Sequence, residues 1–180
     1  MSLDFKSTIG GVGQKLTEPL LCKDSITLSV GDAVIADTTS GEITVSAAAA
    51  PILGIIQAFV DADGMPIAQD KPVAGTASGV DTRTVATGTD GTTYVLVDTS
   101  DCTIYSAECS GTIGTTVNSE VIGARMDIDS ANTDYGRLLE STGTRTIGTP
   151  ANFFCWGADK NDSTRMLVSI AMTQLSSTME

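Results

Sequence analysis

The stretch "VGDAVIADTTSGEITVSAAAAPILGIIQAF", residues 30–59, decides the fold. Val34, Ile35, Ile43, Val45, Ile52, Ile55 and Ile56 are strand formers, and Gly31-Asp32 and Ser40-Gly41 are turn signals. Short strands punctuated by turns about every ten residues read as an all-β sandwich or barrel. No side chain in the stretch suggests catalysis. The composition agrees: 18 Gly and 26 Thr against 4% aromatics favour pleated strands and tight turns over helix.

Working outward from that stretch, residues 1–23 read as an extended N-terminal arm and residues 24–180 as a single β domain. The arm is Gly-rich and aperiodic, with Leu16, Leu20 and Leu21 as its anchors. Strands are expected at residues 25–30, Ala33–Ala36, Glu42–Ser46, Ile52–Phe59, 80–87, Thr92–Val97 and Cys102–Ala107. The last strand is expected to start at Met166, and "ADKNDS" (158–163) reads as a hairpin loop before it. A short helical turn near Val117–Glu120 is the one helical expectation. A chain of 180 residues buries roughly 70% of its unfolded surface, so it needs neither metal nor disulfide to fold.

The net charge is −12 and the ten Lys and Arg are scattered. A nucleic-acid partner needs clustered cations to displace counterions, and an anionic membrane repels this chain for the same reason. The opening residues contain no apolar run of signal-peptide length, and "AAAAPILGIIQAF" is broken by Pro51 and Gly54. The expectation is a soluble chain, intracellular where it is made, with Cys22, Cys102, Cys109 and Cys155 reduced and mostly buried. Cys102 and Cys109, on one strand, would point to opposite faces and so not bridge each other.

The search for chemistry returns little. The chain has no histidine, which removes Ser-His and Cys-His nucleophile systems and most zinc sites. In "GGVGQK" (10–15) Gln14 separates Gly13 from Lys15, and Leu16 stands where a phosphate loop needs Ser or Thr. An EF-hand begun at Asp61 would place Pro66 and Pro72 at its sixth and twelfth positions; one begun at Asp127 ends on Leu138. An irregular calcium site on Asp127, Asp129 and Asp134 stays open beside the plainer reading of solvated turn carboxylates. A two-carboxylate hydrolase depends on a spacing in space that the sequence does not give. No cofactor is expected. Phe153, Phe154 and Trp156 form the densest aromatic cluster, which reads as core or interface ahead of a sugar platform.

The order of strands and turns resembles the decoration (cement) proteins of tailed bacteriophages. Three segments carry the resemblance: "ITLSVGDAVIADTTSGEITVSAAAAPILGIIQAF", "TTYVLVDTSDCTIYSAECSGTIGTTVNSEVIGARMDI" and "DYGRLLESTGTRTIGTPANFFCWGADKNDSTRMLVSIAMTQL". It implies a small β-barrel or tulip-like domain on the outer surface of the virion head, contacting the major capsid protein. It also implies self-association, as a trimer in preference to a dimer. Phe5, Ile9, Leu16, Leu20, Leu21, Phe153, Phe154 and Trp156 are the expected capsid or subunit interface. The competing readings are a carbohydrate- or ligand-binding β module and, behind it, a two-carboxylate hydrolase.

Overall fold

The computed structural model describes residues 3–8, 19–47, 50–67, 82–84, 93–100, 102–110, 122–123, 125–128, 139–140, 152–162, 165–171 and 174. Among them there is no helix, and the chain is all-β. The expected helical turn at Val117–Glu120 lies outside the described residues.

Sheet B is the central layer. Its strands are β2 (Leu20–Leu21), β8 (Tyr94–Asp98), β6 (Gly54–Val60), β4 (Ala33–Ala36) and β5 (Ile43–Val45), antiparallel in that order. Sheet A runs β1 (Leu3–Thr8), β9 (Thr103–Ser110), β13 (Arg165–Ile170), β12 (Phe153–Ala158) and β10 (Arg125–Met126), and β11 (Leu139–Glu140) pairs β9 in parallel. A ribbon of β3 (Thr27–Ser29) and β7 (Thr82–Thr84) completes the set. The two main sheets make a sandwich; among the described residues no barrel closes, so the barrel alternative gives way to the sandwich.

The apolar run around Ile52–Phe59 does not alternate because sheet B is buried on both faces. One face supplies Ala33 and Ile55, joined by Ile52, to a core shared with Tyr105, Phe153, Cys155, Met166 and Val168 of sheet A. The other supplies Val34, Ile43, Ile56, Phe59, Val95 and Val97 to a second core, which Leu28 of the ribbon and Cys22 complete. Ile56 and Phe59 are three residues apart and would face opposite ways on a regular strand. A bulge between Ile56 and Ala58, with Gln57 as its extra residue, returns Phe59 to the Ile56 face. Gly54 is required by close packing: a Cβ there would sit 2.2 Å from the Asp98 carbonyl oxygen.

The "GDAV" turn docks on β6. Gly31, at φ 90°, donates its N–H to Ile56 O, and the buried Asp32 carboxylate accepts the Ser29 N–H at 2.8 Å. The strands expected at Thr92–Val97 and Cys102–Ala107 are both present, as β8 and β9. They are not a hairpin, because the connection carries the chain from sheet B to sheet A. β12 and β13 do form the expected hairpin around residues 158–163.

Two side-chain amides tie the layers at the connections. Asn152, fully buried, donates from Nδ2 to Ala50 O (2.6 Å) and Ala47 O (3.3 Å) and accepts the Ile128 N–H on Oδ1 at 3.0 Å. Gln174 brackets Ala36, accepting its N–H and donating to its carbonyl, each at 2.9 Å. The Gln174 amide thus stands in for a neighbouring strand beside β4. Cys22, Cys102 and Cys155 are thiols outside any disulfide.

Candidate functional site

The segment "FFCWGA" of β12 builds the site. Pleating turns Phe153 and Cys155 into the inter-sheet core and leaves Phe154 half-buried on the outer face. Between Cys155 and Gly157 the register with β13 slips by one residue, so Trp156 is the bulged residue. The following Gly157 adopts φ 133°, a conformation open to glycine and strained for other residues. The slip places Trp156 and Gly157 consecutively on the outside and returns Ala158 to the core side.

Trp156 is held firmly in that position. Its indole Nε1 donates to Ser169 Oγ at 3.0 Å, and its ring meets Phe154 edge-to-face, centroids 4.8 Å apart at 63°. Ile122 lies over Gly157, where an added Cβ would come within 3.6 Å of its Cγ1, and the Gly123 N–H bonds Cys155 O at 2.9 Å. With its one polar atom satisfied inside the sheet, the indole offers solvent an apolar surface. Three large apolar side chains are exposed among the described residues: Met65 (62%), Ile122 (49%) and Trp156 (42%). Two of the three belong to this one patch. Arg125, exposed, is the cross-strand partner of Phe154 at its border.

Beside the patch, the same outer face carries a polar network. Arg165 donates from Nε to Ser106 Oγ (2.9 Å) and from Nη2 to Ser106 O (2.7 Å), and pairs with Glu108 at 3.3 Å. Ser106 in turn donates to Asp159 Oδ2 at 2.7 Å. The Ser106 hydroxyl is fully buried beneath these groups, so the network braces β9 against β13 and presents no accessible nucleophile.

The residues expected at an interface do not converge. Phe153 is core; Phe154 and Trp156 share the outer face of sheet A. Leu20 and Leu21 are half-buried on the β2 edge of sheet B, Leu20 packing against the Phe59 core. Phe5 lies in β1 in register with Tyr105 of β9, and Ile9 and Leu16 lie outside the described residues. Ile122 and Arg125 were missed, because only the Gly123–Cys155 hydrogen bond and the β10–β12 pairing bring them to this strand. Their one sequence signal is Gly157 inside an aromatic strand, which marks a bulge or a close approach.

The "DADG" turn is accounted for by turn chemistry. Asp61 Oδ1 accepts the N–H of Asp63 (3.0 Å) and of Met65 (2.9 Å), and Gly64 sits at φ 78°. Asp127 is half-buried, whereas Asp129 and Asp134 lie outside the described residues. Among the described residues no three His, Cys, Asp or Glu side chains gather to hold a metal ion, and no helix is long and apolar enough to cross a membrane. Two core groups are perturbed. Burial pushes the Cys155 thiol up, and burial followed by the nearby Asp98 carboxylate pushes the Tyr105 phenol well above its usual range. The Tyr105 hydroxyl faces Asp98 and Thr103 without a well-formed hydrogen bond. Compared with known proteins, the chain matches no protein-family model, no curated protein and no solved structure.

Proposed function

We propose that this chain is a structural virion protein, a capsid decoration protein that binds the outer surface of a phage head and strengthens contacts between major capsid subunits. The observation that carries the reading is the rigid presentation of Trp156 on a strand bulge, with Phe154 and Ile122 beside it. An aromatic held outward by a bulge that only glycine completes without strain, with its indole N–H satisfied, suits a protein contact. Phe154 and Trp156 stand at 63° to each other and so make no shared flat platform for a sugar, which weighs against the carbohydrate module. A net charge of −12 suits an outer coat, because it keeps particles apart in solution.

In this reading the N-terminal strand β1 is a second contact. Among the described residues it lies at the edge of sheet A, the position from which a strand pairs with a neighbour. Weak contacts repeated over a closed shell add to a strong one. The test is density-gradient fractionation of a lysate from the source infection, with mass spectrometry of each fraction. Many copies co-migrating with filled heads, and lost when residues 1–18 are deleted, is the expected result. A protein confined to the soluble fractions overturns the reading.

A further inference from the structure

We draw no further inference here: the strongest candidate, the buried Tyr105 hydroxyl facing Asp98 and Thr103 at the crossing from β8 to β9, sits beside a carboxylate already bonded by the Ser100 N–H and the Thr103 hydroxyl, and among the described residues no cluster of metal-ligating side chains gathers there to say what it would bind.

Discussion

Replacing Asn152 by Ala tests whether a single amide holds the connections of the two sheets together. The side chain is fully buried and makes three hydrogen bonds, to Ala50 O, Ala47 O and the Ile128 N–H. The three are not equivalent. Ala47 is exposed and Ala50 half-buried, so water replaces Nδ2 at their carbonyls and the loss there is about 0.5 kcal/mol each. Ile128 is 1% exposed, so its N–H is stranded and costs about 2 kcal/mol. The sum is about 3 kcal/mol. With a urea m-value of about 2 kcal/mol/M, the midpoint falls by about 1.5 M at unchanged slope. Asn152→Asp keeps the acceptor for Ile128 but loses both donors and buries a carboxylate. It should be at least as destabilising at neutral pH and recover partly as acid protonates it. A shift for Asn152→Ala under about 0.5 kcal/mol refutes the reasoning, since it means the Ile128 N–H finds another partner.

Three further outcomes follow from the same geometry. Gly157→Ala places a side chain at φ 133° and costs about 1–3 kcal/mol by thermal melting, with a change in Trp156 fluorescence as the bulge relaxes. The Asp37 carboxyl is held at about 2, first by its hydrogen bond from Lys23 and then by the Thr39 and Ser40 N–H groups. Its contribution is therefore complete above the unfolded carboxylate value near ~3.9 and is lost as pH falls towards ~2, so Asp37→Asn should flatten the acid limb of a Tm-versus-pH curve there. Tyr105→Phe removes a buried hydroxyl without a well-formed hydrogen bond and should change stability by less than about 1 kcal/mol in urea melts; a larger loss would show that Asp98 depends on that hydroxyl.

Most strands were legible from turn spacing and β-branched runs, because local chemistry determines them: Gly31 and Asp32 make the turn their types suggest, and Ala33–Ala36 is strand β4 to the residue. The layering was harder to read. The uninterrupted run around Ile52–Phe59 could signal burial on both faces, but which partner covers which face depends on segments distant in sequence, such as Leu28. The bulges at Gln57 and Trp156 are one-residue slips set by the packing of Phe59 and Ala158, and strand periodicity alone does not announce them. For the same reason the aromatic cluster was visible while its division was not. Phe153 goes inward and Trp156 outward, Arg125 arrives by pairing, and Ile122 arrives by packing on Gly157.

Among the described residues, each of the two apolar cores holds one buried cysteine: Cys155, 3.6 Å from the Met166 sulfur, between the sheets, and Cys22 in the core shared with Leu28 of the ribbon. Nature has in effect installed a separate clock in each half of the molecule. A thiol reagent reaches either sulfur only when its own core opens, so the modification rates at the two sites, resolved by mass spectrometry, time the two openings independently. Equal rates describe a sandwich that comes apart in one step. A faster Cys22 describes a ribbon that peels away and exposes one face of the central sheet while the other face stays sealed.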